Sequence, residues 1–209
     1  MKTVLIADDH EIVRRGIKMS VQSFSEQYHF IEASTCTEVV EILSSQQVHF
    51  AILDMFLADG NIFSSIQQIS EHSGRVSFLV YTMSAERIYA KRFMEKGIRG
   101  FVSKQSSVDE LEKAIHTIFN GETYLSPGLK EILINSIKLN SLRNPVDLLS
   151  DRELEAVEYM VIGMGTKEIA QKMKVDTTTI STYRRRAFEK LDVQNTLELK
   201  DKFLFYKEQ

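Results

Sequence analysis

VLIADDHEIV, residues 4–13, opens the chain with four apolar residues that run into two adjacent carboxylates, Asp8 and Asp9. An apolar run of this length reads as a buried strand, and a helical pattern follows it directly. Two like charges at the end of a buried strand repel each other and resist desolvation. Something at that strand end has to offset them, so the ends of the other strands are the place to look.

The first part of the chain alternates strands and helices. Strand-like runs lie at KTVLIA (2–7), YHFIEA (28–33), HFAILD (49–54), VSFLVYT (76–82) and GFVS (100–103). Helical stretches lie near 11–24, 37–45, 61–72, 86–96 and 107–120. Five strands alternating with five helices predict an α/β fold, a doubly wound parallel five-stranded sheet covered on both faces. Such sheets bind ligands outside the carboxyl ends of their strands. Those ends carry Asp8 and Asp9, then Asp54, then Thr82, then Lys104. Three carboxylates, a hydroxyl and an ammonium on one edge form a constellation that no single strand end provides. Crowded oxygen ligands point to a hard cation such as Mg²⁺. An aspartate beside it is placed to act as a nucleophile towards phosphorus. Lys104 and Thr82 would then meet the phosphoryl oxygens, where transition-state charge collects. The cation answers the question raised by the Asp8–Asp9 pair.

The whole chain limits the alternatives. It has 209 residues, 26% charged and 43% hydrophobic, with a net charge of −3. That suits one large domain or two small ones. No run is long enough for a membrane span, and the start lacks a signal-peptide layout. Cys36 is the single cysteine, which leaves no internal disulfide and no cysteine-built zinc site. A cytoplasmic protein is expected. Residues 1–142 hold 14 Lys+Arg against 17 Asp+Glu, whereas residues 143–209 hold 12 of each. The second part also contains YRRRAFEK, the densest basic cluster. The two parts are therefore expected to do different jobs.

A connector separates them. Residues 123–147 contain both prolines, and Ser126 before Pro127 is a helix start. LKEILINSIKL is expected to form about three helical turns, and NSLRNPVD reads as loop. Beyond it, Ser150 and Glu153 form a capping box ahead of LEAVEYMVIGM. Gly163 and Gly165 end that helix; KEIAQKMK follows, capped by Gly165 or Thr166. VD turns the chain, Asp176 stands as the next cap, and TTTISTYRRRAFEKL forms the next helix. A final helix is expected from Thr196 to about Tyr206. Two short helices joined by a tight turn predict a helix-turn-helix in a small all-α domain. Ile180, Ala187 and Leu191 share one stripe, which should pack on Ile169, Ala170 and Met173. Thr178, Ser181, Thr182 and Arg185 lie on the other side, where they can meet base edges in double-stranded DNA. Lys167, Arg184 and Arg186 suit phosphate contacts.

Residues 1–122 resemble a CheY-type receiver domain, most closely in LIADDHEIVRRGI and GFVSKQSSVDELEKAI. The resemblance implies Asp54 as phosphoacceptor, Asp9 as a direct Mg²⁺ ligand, Asp8 as a ligand through water, and the backbone carbonyl of Phe56 as a further ligand. It implies that Lys104 contacts the phosphoryl group, and that Thr82 swings towards it, letting Phe101 turn inward. The family commonly has proline where Ala58 stands, so a looser loop is expected here. Residues 148–209 resemble the LuxR-type DNA-binding module through LSDRELEAVEYM, GMGTKEIAQKMKV and TTTISTYRRRAFEKLDV. That family often has lysine at the position of Ser181 and histidine at that of Tyr183, so a different operator preference is expected. Together the likenesses imply a NarL/FixJ-class response regulator: receiver at 1–122, connector at 123–147, DNA-binding module at 148–209. A sensor histidine kinase as phosphodonor and a homodimer on DNA are implied partners, the receivers pairing near helices 11–24 and 107–120. No separate substrate turnover is expected. Two rival readings remain, a phosphatase using Asp59 as its second carboxylate, and a receiver whose C-terminal helices dock proteins.

Overall fold

The computed structural model describes residues 1–24, 27–131 and 144–208. Its contacts divide the chain into two compact units, Met1–Ile134 and Asn135–Gln209.

In the first unit, β1 (Lys2–Ala7), β2 (Tyr28–Ala33), β3 (Phe50–Leu53), β6 (Ser77–Thr82) and β7 (Gly100–Ser103) form one sheet in the order β2-β1-β3-β6-β7. Every pairing in it is parallel. Val4, Leu5, Ile6 and Ala7 are all buried, as a central strand covered on both faces requires. α1 (Glu11–Gln22) and α5 (Val108–Phe119) close one face. Ile17, Val21, Leu111, Ala114, Ile115 and Ile118 pack there with Val4, Ile6, Phe50, Ile52, Leu79 and Val102. Strand alternation turns Leu5, Leu53, Phe78, Val80 and Phe101 to the other face. Further helices of this unit are α2 (Cys36–Ser45), α3 (Ile66–Ser70) and α4 (Glu86–Glu95). From β1 the chain steps outward to β2 and then returns to the opposite side at β3. The strand order therefore reverses between β1 and β3, and a crevice opens outside their carboxyl ends.

Two local departures from the sequence expectation stand out. The helix expected over 61–72 is reduced to a 3-10 turn, Ile62–Ser65, followed by the short α3. The cause lies upstream, where β4 (Phe56–Leu57) and β5 (Gly60–Asn61) pair as a small antiparallel hairpin. That hairpin takes Asn61 away from the helix and tightens the next turn. The second departure is in the connector. Tyr124 belongs to the first unit's core, its N–H bonding the carbonyl of Arg99 at 2.9 Å and its hydroxyl donating to Glu110 at 3.0 Å. Ser126 Oγ accepts from the N–H of Leu129 at 3.0 Å, and helix begins at Pro127. The expected continuation of that helix beyond residue 131 lies outside the described residues.

The second unit is helical. The stretch read as loop at its start holds a 3-10 turn, Pro145–Leu148, because Asn144 Oδ1 accepts from the N–H of Val146. Then come α6 (Asp151–Val161), α7 (Thr166–Met173), α8 (Thr177–Leu191) and α9 (Thr196–Glu208). The capping box at Ser150 and Glu153 is present. Asp176 occupies the cap position of α8 but its side chain makes no capping hydrogen bond, so the turn is defined instead by Lys174 in the left-handed region, φ 55°. Ile169, Ala170 and Met173 of α7 are buried together with Ile180, Ala187 and Leu191 of α8.

Candidate functional site

The crevice between β1 and β3 receives Asp8 and Asp54, both buried. Backbone bonds align the strand ends, Asp54 N–H to the carbonyl of Ala7 at 2.8 Å and Lys104 N–H to that of Thr82 at 2.8 Å. Lys104 then reaches across, its Nζ 2.5 Å from Asp8 Oδ2 and 2.6 Å from Asp54 Oδ2. Burial disfavours the charged ammonium, but the carboxylates of Asp54 and Asp8 outweigh it and hold the Lys104 pKa above its ordinary value. Residues 96 and 50 positions apart are thus one ionic cluster.

Asp9 stands at the rim, about one-third exposed, with Oδ1 2.6 Å from His10 Nδ1. The donor atoms of Asp8, Asp9 and His10 all lie within 4.8 Å of one another. Hard oxygen donors dominate the set, and the Lys104 ammonium already bridges its Asp8 to the neighbouring Asp54, so the pocket is built around positive charge. The set suits Mg²⁺, with Asp8, Asp9 and Asp54 as the residues that would hold it. His10 and Arg14 were not singled out from the sequence, although His10 directly follows the acidic pair. Arg14 Nη1 donates to the backbone carbonyl of Asp8 at 2.8 Å.

Thr82 is fully buried at the end of β6, with Oγ1 3.4 Å from the N–H of Ser84. Phe101 is also fully buried, its ring centroid 6.0 Å from that of Phe93. Phe56, whose carbonyl is an expected ligand, opens β4 beside the Asp54 loop.

Asp59 is committed elsewhere. Its carboxylate accepts from the N–H groups of Cys36 at 2.6 Å and Thr37 at 3.2 Å, and from Thr37 Oγ1 at 2.8 Å. It serves the orphan donors of α2 and ties the loop after Asp54 to the start of that helix.

The second unit presents the other candidate surface. Thr178, Ser181 and Arg185 are exposed along α8, Thr182 is half-buried, and Lys167 is exposed in the first turn of α7. Ser181 and Thr182 hydroxyls fold back onto the carbonyls of Thr177 and Thr178, at 2.9 and 3.0 Å. Arg185 is paired with Glu189 at 2.8 Å, Arg184 lies over the Phe188 ring at 5.0 Å, and Arg186 is exposed. Arg184, Arg185 and Ser181 line a cleft shared with Thr166 at the start of α7, a residue the sequence reading did not single out as a contact. Glu153, buried, joins its cap to Lys190 Nζ at 2.5 Å and so ties α6 to the last turn of α8.

Comparison with known proteins agrees with both halves. Residues 4–116 match the response regulator receiver domain, and residues 147–203 match the bacterial regulatory proteins of the luxR family. The chain is 30% identical over 200 residues to the Fimbriae Z protein of Escherichia coli K12, covering 95% of this chain and 94% of that one. It is 28% identical over 204 residues to the oxygen regulatory protein NreC of Staphylococcus carnosus, covering 94% of each. Among solved structures it resembles RcsB from Salmonella enterica serovar Typhimurium, bound to a promoter in the presence of phosphomimetic BeF3−. That likeness has a TM-score of 0.73 at 27% identity, over 99% of this chain and 98% of that one. A receiver with its ionic cluster at the switch point, followed in the sequence by a luxR-type helical unit and matched along nearly the whole length, places the chain in the response regulator family.

Proposed function

We propose that this chain is a transcription regulator whose binding to double-stranded DNA is switched by phosphorylation of Asp54. The observation that carries the reading is Lys104 bridging Asp8 and Asp54 at the point where the strand order reverses. Asp54 Oδ would attack the phosphorus of a sensor histidine kinase's phosphohistidine. The P–O bond forms as the P–N bond breaks, and the leaving imidazole nitrogen keeps the electron pair. When bound, Mg²⁺ supplies charge neutralisation for the phosphoryl oxygens, held by Asp8, Asp9, Asp54 and the carbonyl of Phe56. Lys104 transfers its ammonium from Asp54 Oδ2 to a phosphoryl oxygen, and Thr82 offers its hydroxyl to another. Such a change of partners biases a two-state arrangement of Thr82, Phe101 and their loops.

The output is DNA binding through α8. Thr178, Ser181, Thr182 and Arg185 face base edges, and Lys167, Arg184 and Arg186 contact phosphates. A single small helix-turn-helix reads few bases, so a homodimer on two half-sites is expected. Exposed Ile12 and Met19 on α1 and Val108 on α5 supply apolar surface for the receivers to pair. The proposed domain limits are 1–122, 123–147 and 148–209, with the connector's Tyr124 docked on the receiver core. The place of action is the cytoplasm, where duplex DNA and a kinase's phosphohistidine are both within reach; among the described residues no helix is long and apolar enough to cross a membrane.

Intact mass after incubation with acetyl phosphate and Mg²⁺ tests the switch. Wild type should gain one phosphoryl adduct and Asp54→Ala none. An adduct that persists in Asp54→Ala would move the acceptor elsewhere. DNA binding that is insensitive to salt would favour a C-terminal protein-docking module instead.

A further inference from the structure

Asp9 is the proposed direct metal ligand, yet among the described residues the one side-chain partner of its carboxylate is His10. Its aim is therefore set by the backbone that precedes it. That backbone is held on three sides. Asp8 N–H bonds the carbonyl of Ala33 at 3.1 Å, Asp8 Oδ1 accepts from the N–H of His10 at 2.9 Å, and Arg14 Nη1 grips the Asp8 carbonyl at 2.8 Å. A peptide unit is planar, so fixing that carbonyl also fixes the N–H of Asp9 and the direction in which the next residue departs. Arg14 is itself oriented. Its Nε donates to Glu32 Oε2 at 2.5 Å, and Lys18 pairs with the other oxygen of Glu32. Glu32 sits opposite Ile6 in the β1–β2 register, one step from the end of β1. The Arg14 side chain is 16% exposed.

We propose that Arg14 is a positioning residue for the acidic pocket: oriented by Glu32, it holds the Asp8–Asp9 peptide so that the Asp9 carboxylate meets a divalent cation. This rests on the reading of Asp8, Asp9 and Asp54 as a Mg²⁺ site. The role needs two donors in a rigid fork, one for a carbonyl and one for a carboxylate, which lysine lacks.

Charge and position predict opposite signs, and that makes the role testable. A fixed cation near a dication repels it, so by charge alone Arg14→Gln would tighten metal binding and Arg14→Lys would leave it unchanged. If Arg14 acts through position, both variants weaken it, by about 10- to 100-fold as for other groups that orient metal ligands. The experiment is titration of the full-length protein with Mn²⁺, free ion being followed by electron paramagnetic resonance with no phosphodonor present. Unfolding midpoints in EDTA are recorded in parallel. Weakened Mn²⁺ affinity in both variants, with Glu32→Gln intermediate, is the expected result. If Arg14→Gln fails to fold, Arg14→Lys decides. Wild-type affinity in Arg14→Lys, whatever its midpoint, overturns the proposal and reduces Arg14 to a brace. Absence of Mn²⁺ binding by wild type overturns the metal-site reading and this inference with it.

Discussion

Ala58 shows how one residue can replace a family's usual solution. Its N–H donates to the carbonyl of Ser34 at 3.0 Å, a bond proline could not make. With Asp59 fastened to the start of α2, the loop after Asp54 is held by hydrogen bonds rather than by a ring, against the expectation of looseness. Ala58→Pro should therefore destabilise the receiver by about 1 kcal/mol, the net value of a typical hydrogen bond, read by urea denaturation. Two buried carboxylates on α6 respond to pH in opposite senses. Burial tends to raise the pKa of Glu153, but Lys190 and Ser150 hold it below the usual carboxylate value. Its stabilisation is present above the unfolded value and is lost as pH falls through the folded one. Burial raises Glu155, and Arg152 only partly offsets it. The cost of ionising Glu155 is absent below the unfolded value and grows as pH rises through the folded one. Glu155→Gln should hence stabilise the second unit at neutral pH and lose that advantage in acid, whereas Glu153→Gln should destabilise at neutral pH. Thermal midpoints of the two variants from pH 4 to 8 check both signs.

At the scale of elements, α5 packs closely on β7 where a glycine stands. A Cβ added to Gly100 would lie 2.6 Å from Ile118 Cδ1 and 3.0 Å from Leu79 Cδ1. Gly100→Ala should push the buried terminal methyls of Ile118 and Leu79 towards poorer rotamers at a cost of about 0.5–1.5 kcal/mol, visible as a lowered denaturation midpoint. The α7–α8 turn has the reverse opportunity. Lys174 takes a left-handed conformation that L side chains disfavour by roughly 1–2 kcal/mol. Lys174→Gly relieves part of that while loosening the unfolded chain, so a gain of about 1 kcal/mol or less is expected. The turn was legible in its place, from the VD between two helical patterns, but its left-handed residue was not. Lysine carries no signal for that conformation, and the packing of Ile169, Ala170 and Met173 against α8 imposes it.

For the whole molecule, phosphorylation should raise affinity for operator DNA, a rise that Asp54→Ala should lack. Mobility shifts with and without acetyl phosphate measure it. Arg185→Ala should relax discrimination at one base position by about 1–3 kcal/mol, whereas Arg186→Ala should weaken all sequences alike and reduce the salt slope by about one. By itself the sequence determined the order of the sheet strands and main helices, the two-part organisation, the Ser150–Glu153 capping box and the strand ends that bear Asp8, Asp54, Thr82 and Lys104. Hydrophobic period and capping are local, so they can be read within a dozen residues. The tertiary structure alone decided the strand order, the bridging of Asp8 and Asp54 by Lys104, the withdrawal of Asp59 to α2, the docking of Tyr124 and the grip of Arg14 on the Asp8 carbonyl. Each of these joins residues through space, where packing and electrostatics choose among partners that a linear pattern leaves equivalent.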